Sequence, residues 1–201
     1  MNVFVETNFI LEIALLQEQY KECEKIIALC KNREASLIIP AYSLVEPYET
    51  LIRRHKDRLR LKIKLDTELN QLARTESYTE RINDIKKLLG LLIQSREEEM
   101  LRLQNTVEEL LQTAQIIPLH SGILAASARY QMQHDLSPQD SIVYASILYY
   151  LENDPGEPGC FLNKNSKDFD DLDIVENLEK FNCRMLSRFD HGFQYIISKI
   201  K

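Results

Sequence analysis

Four acidic residues sit where this chain would place chemistry: Glu6, Glu46, Asp140 and Asp168. Glu6 follows the β-prone run Asn2 to Val5, and Glu46 comes a helical turn or two after the apolar run Leu37-Ile38-Ile39, which Pro40 stops. Asp140 follows Leu136-Ser137-Pro138, and Asp168 follows Cys160-Phe161-Leu162 by a short loop. In open parallel sheets the ligand crevice lies beyond the carboxyl ends of the strands, where strand order reverses. Carboxylates gathered there repel one another unless cations share the site, and their oxygens are the ligands that Mg²⁺ and Mn²⁺ prefer. Such ions activate water and stabilise the leaving oxygen of a phosphodiester, so the chemistry expected is phosphodiester hydrolysis.

The elements that would position these acids follow from the periodicity. Thr7 and Asn8 offer cap oxygens to a helix with apolar residues at Ile10, Ile13, Tyr20, Cys23 and Ile27. Leu37 to Ile39 reads as a second strand leading into a helix that carries Glu46. From about 53 to 115 the chain has one glycine and no proline, and Leu65, Leu69, Leu72, Ile82, Ile85, Leu89, Leu103, Val107 and Leu110 recur at helical spacing. Two antiparallel helical arms are expected, with the break near Thr75 to Tyr78 and a capping box at Ser77-Tyr78-Thr79-Glu80 starting the second. Ile116 and Ile117 return to the core, a small-residue helix runs through Ala125 to Ala128, and Ser137-Pro138 opens a helix at Asp140. Cys160 to Leu162 is read as a strand, Ile174 to Phe181 as a helix and Cys183 to Leu186 as a last strand. The alternation predicts an α/β fold, a parallel sheet covered by helices on both faces, with a long helical hairpin inserted in one domain, 1–201.

Three of these acids also have a plainer role open to them. Asp140 serves as a helix cap or first-turn charge, Glu46 as a solvated helix residue, and Asp168 to Asp173 as a polar loop entering a helix. Spacing alone does not separate these readings among 31 acidic residues.

Residues Arg53, Arg54, Lys56, Arg58, Arg60, Lys62 and Lys64 face a single acid, Asp57, so 53–64 carries +6 while the remainder of the chain carries −12. Such a stripe either steers RNA phosphates toward the acids or forms a solvated face paired with Glu97, Glu98 and Glu99 of the second arm. The overall charge of −6 argues against bulk electrostatic binding of nucleic acid, so any RNA contact must be local. The four cysteines show no metal-ligand pairing and are expected reduced and buried. No histidine spacing supports zinc or a nucleophilic triad, and no glycine-rich phosphate loop occurs. The first residues lack a signal-peptide pattern and no apolar run is long enough for a membrane span, which predicts a cytoplasmic protein.

The segments Val5-Glu6-Thr7-Asn8, Ser43-Leu44-Val45-Glu46, Ser137-Pro138-Gln139-Asp140 and Asn165-Ser166-Lys167-Asp168-Phe169 resemble, in order, the four acidic motifs of PIN domains. The resemblance covers both ends of the chain and leaves 53–115 outside it. It implies a PIN-like three-layer fold, a ribonuclease, and Glu6, Glu46, Asp140 and Asp168 as catalytic ligands of Mg²⁺ or Mn²⁺, supported by Thr7, Asn8 and Asn165. Arg53, Arg54, Lys56, Arg58 and Arg60 would then hold RNA. Toxin members of the family imply an antitoxin partner and a homodimer. Glu6 departs from the family's usual aspartate, and its extra methylene displaces the carboxylate by on the order of 1 Å, an offset that costs about a hundredfold in rate. The second reading is a catalytically degenerate PIN-like module that binds RNA or assembles with other proteins.

Overall fold

The structure is a computed structural model. It describes residues 1–154, 156–164, 169 and 171–200, with side chains for all of these except Thr79, Glu80 and Asn83. Five short strands, β1 (Asn2–Val5), β2 (Ser36–Pro40), β3 (Gln115–Ile117), β4 (Gly159–Leu162) and β5 (Cys183–Leu186), form one parallel sheet in the order β3-β2-β1-β4-β5. The register runs Phe4 to Ile38 on one side of β1 and Phe4 to Phe161 on the other. After β1 the chain builds outward through β2 and β3, then returns to place β4 against β1 on the opposite side. The strand order therefore reverses beside β1, and Glu6 is the residue that follows it.

Alternation along the strands divides the core into two layers. Val3, Val5, Leu37, Ile39, Cys160 and Leu162 face a cluster that includes Phe9, Ile26, Leu51, Leu103, Leu110, Phe189 and Ile196. Phe4, Ile38 and Phe161 face the other, with Ile123, Tyr144, Ile147, Ile174 and Leu178. Helices α1 (Thr7–Ala14), α2 (Tyr20–Lys31), α3 (Ala41–Leu72), α4 (Thr79–Thr113) and α8 (Phe189–Ile200) supply the first layer. Helices α5 (Ser121–His134), α6 (Pro138–Asn153) and α7 (Leu172–Lys180) supply the second. This is the expected parallel sheet between helical layers. All four cysteines are buried and free.

The first helix departs from the expectation in two ways. Its N-cap is Glu6, not Thr7 or Asn8, and it ends at Ala14, so that α1 and α2 are separate. Leu16 takes a left-handed φ of 50° at the break. The carboxylate of fully buried Glu12 accepts from the Gln19 backbone N–H and from Lys164 Nζ, at 2.5 and 2.6 Å. Gln19 in turn accepts from the backbone N–H groups of Phe189 and Asp190 at the start of α8. Tertiary partners thus override an apolar spacing that would have run on through the break.

Helix α3 carries Glu46 and continues without interruption into the first arm, 32 residues in all, even though Pro47 lies inside it. Proline removes one helical hydrogen bond, and here Pro47 is itself buried. A short 3₁₀ turn, Glu76–Tyr78, reverses the chain into α4. The turn falls where expected, but the capping box does not form as read: Ser77 lies in the 3₁₀ turn and Tyr78 takes the N-cap position without a side-chain bond. The arms share a small core of Leu69, Ile82 and Leu89. Among the described residues no helix is long and apolar enough to cross a membrane.

Candidate active site

Three of the four acids line one open pocket of about 340 Å³. Glu6, directly after β1, is 6% exposed, and one carboxylate oxygen accepts the Asn8 backbone N–H at 2.8 Å as the cap of α1. Among the described residues its other oxygen, Oε1, is buried without a hydrogen-bond partner. Glu46, in the second turn of α3, accepts from the Thr7 hydroxyl at 2.5 Å, which ties it to the turn carrying Glu6. Asp140 sits in the first turn of α6, where Ser137 caps the helix: Ser137 Oγ accepts the Asp140 N–H at 3.1 Å and donates to its carboxylate at 2.5 Å. Asp140 is thus the first-turn acid of the plainer reading, and it also lines the pocket.

The electrostatics describe a site short of positive charge. Burial, foremost, pushes the Glu6 carboxyl up to about 8; the Asn8 bond opposes this, and the charges of Glu46 and Asp140 reinforce it. Glu46 is likewise raised, by burial first and by Asp140 and Glu49, while Thr7 and Arg53 pull the other way. A buried carboxylate oxygen with no donor, beside two further acids, is what a hard cation would satisfy. The oxygen-only donor set fits a divalent ion of the Mg²⁺ type.

Asp168 and Asn165 lie outside the described residues. Lys164, the last described residue before them, is tied to buried Glu12 on α1. Of the neighbouring acids, Asp170 also lies outside the described residues, and Asp171 is engaged elsewhere. Asp171 caps α7 and bonds His134 Nδ1 at 2.7 Å, and the His134 bond chiefly holds its carboxyl below the usual range. Among the described residues, His134, Asp171 and Asp173 bring ligand atoms within 4.8 Å of one another, a group that could hold a metal ion. None of the three lines the pocket of Glu6, Glu46 and Asp140. The sequence reading missed the His134 partnership; the only signal was a histidine at a helix end, which carries little weight by itself.

The basic stripe divides. Arg53 and Arg54 line the acid pocket, and Lys56 and Arg60 line the next groove along α3. Arg58 instead turns to α4, donating to Glu99 and Ser95 at 2.9 Å, so the expected pairing with the second arm's acids holds for this residue. The hydroxyl of Ser137 on Asp140 was legible only as a helix start.

A family model described as PIN domain matches residues 3–169. No curated protein matches the chain.

Proposed function

The chain belongs to the PIN-domain family, and from that footing we propose that it is a divalent-metal-dependent endoribonuclease that hydrolyses RNA phosphodiester bonds. The observation that carries the reading is the buried, unpartnered Oε1 of Glu6 in a pocket shared with Glu46 and Asp140. In this proposal Glu6, Glu46, Asp140 and Asp168 hold Mg²⁺ or Mn²⁺, which supplies water activation and charge stabilisation at the phosphodiester. Thr7 orients Glu46, the Asn8 N–H orients Glu6, and Asn165 supports the fourth acid. Arg53 and Arg54 neutralise RNA phosphates at the pocket, and Lys56 and Arg60 do so in the next groove along α3; Arg58 contributes least, being engaged by Glu99. The chain acts as one domain, 1–201, with the hairpin of about 53–115 as its insertion.

Cleavage of labelled single-stranded and structured RNAs tests this. Cutting is expected with Mg²⁺ or Mn²⁺ and is expected to stop with chelator and in Asp140→Asn. If neither the natural protein nor Glu6→Asp cuts any RNA with either ion, the nuclease reading fails.

A second reading, an assembly module, is favoured by one face of the hairpin. Leu61, Leu65 and Leu72 follow Arg58 at helical spacing on α3, and Leu88 and Leu91 precede Ser95 on α4; the Arg58–Ser95 bond joins the two rows on one side. All five leucines are exposed, by 37 to 64%. Such a face fits a second subunit or, if the protein is a toxin, an antitoxin helix. The purified chain is expected to sediment as a dimer that Leu88→Glu with Leu91→Glu makes monomeric. A monomeric natural chain would leave the face to a different partner and remove the homodimer.

A further inference from the structure

The acid pocket does not end at its own rim. Arg53 belongs both to that pocket and to an adjoining groove of about 250 Å³ lined also by Glu49, Ile52, Lys56, Asp57 and Arg60, so the two meet at Arg53 on α3. The helix explains the alignment. Counting from Glu46, Thr50, Arg53, Asp57, Arg60 and Lys64 come at intervals of four and three, the spacing of a single helical face. One unbroken helix therefore joins a pocket acid to a row of cations lying about 10, 21 and 27 Å beyond it, at 1.5 Å per residue.

These cations are available. Arg53, Lys56, Arg60 and Lys64 are exposed, whereas Arg58 and Lys62 on the flanks are engaged by Glu99 and Asp66. Among the described residues Arg60 pairs with Asp57, at 3.3 Å with both side chains largely in solvent, a pairing that a phosphate displaces at little cost. Lys56 lines the groove beside this row, and Ile52, 44% exposed, gives it an apolar wall. A single strand can follow such a row and lay an unpaired base against an apolar wall; a duplex keeps its bases stacked inside.

We propose that α3 is a track for single-stranded RNA, holding one flank of the substrate over Arg53, Arg60 and Lys64 so that the scissile phosphate lies at the acids. The inference rests on the nuclease reading for the identity of the ligand and adds a length requirement to it. At a stacked spacing of about 3.4 Å per nucleotide, the 27 Å from Glu46 to Lys64 corresponds to about eight nucleotides.

Binding measured in chelator tests the track without cutting. Fluorescent oligouridylates of 4 and 12 nucleotides are titrated with the full chain and with Arg60→Glu/Lys64→Glu. The natural chain is expected to bind the 12-mer at least about tenfold more tightly than the 4-mer, with a salt slope steeper by about 1.4 for two extra phosphates neutralised. The double variant is expected to lose that ratio. A natural-chain ratio near one, an unchanged ratio in the variant, or tighter binding of a 12-base-pair duplex than of the 12-mer would each overturn the proposal. An inactive protein that keeps the length dependence sinks the nuclease and spares the track; an active one without it does the reverse.

Discussion

Glu46→Gln is expected to lower RNA cleavage by more than about a hundredfold while the folded state is kept or slightly strengthened. The glutamine amide oxygen can still accept the Thr7 hydroxyl, so the contact between α3 and the α1 turn survives. What disappears is one of the pocket's three carboxyl groups, and with it a proposed ligand for a divalent ion. A loss of about a hundredfold is the effect expected of a displacement of even 1 Å at a reacting centre, and removal of a ligand is the larger insult. Glu6→Gln is expected to match it. Single-turnover cleavage beside thermal unfolding separates the two effects: rate should collapse while the melting temperature holds or rises. A variant that retains at least a tenth of the natural rate would take Glu46 out of the catalytic set.

The second large effect is a reversal of the usual pH dependence. Burial holds the Glu6 carboxyl near 8 in the folded, metal-free chain, against an ordinary value of 4.5. Between those values the native state keeps a proton that the unfolded chain has released, so stability falls as pH rises, by at most about 1.4 kcal/mol per pH unit for one carboxyl. The stabilisation is full below about 4.5 and is lost as pH climbs through 8; Glu46, shifted in the same direction, adds to it. Denaturant melts at pH 5.5 and 8 in chelator should show the loss, Glu6→Gln should flatten most of it, and Mn²⁺ at pH 8 should recover it through binding to the deprotonated native site. Equal stability at both pH values in the natural chain would mean that the Glu6 pocket is wetter than its burial implies.

Much of this frame was legible in the residues. The central strands announce themselves because apolar runs such as Leu37-Ile38-Ile39 and Cys160-Phe161-Leu162 are bounded by Pro40 or by a turn-rich approach, and both faces of the sheet are covered. The three described acids were found because each follows a strand or opens a helix, positions with a local signature. What was not legible depends on contacts distant in sequence. The split between α1 and α2 is set by Glu12 reaching Gln19 and Lys164. The diversion of Arg58 depends on the register of two helices that sequence places only roughly. Helix α8 went unread, although Phe189 and Ile196 are fully buried. The helix start at Ser77 was missed for a related reason: the 3₁₀ turn takes Ser77 in and moves the N-cap to Tyr78.

Helix α3 is, mechanically, a lever with very unequal arms. Its held end lies in the first three turns, where Pro47 and Leu51 are buried, and Leu72 is 25 residues beyond the proline, about 37 Å along the axis. If the rod pivots at the proline, a displacement of about 4 Å at the tip is a rotation of about 6°, which moves the neighbouring Glu46 carboxylate by only about half an ångström. The hairpin can then swing to admit or grip another molecule while its root stays nearly still, so whatever grasps the tip is felt only faintly where Glu46 meets Thr7.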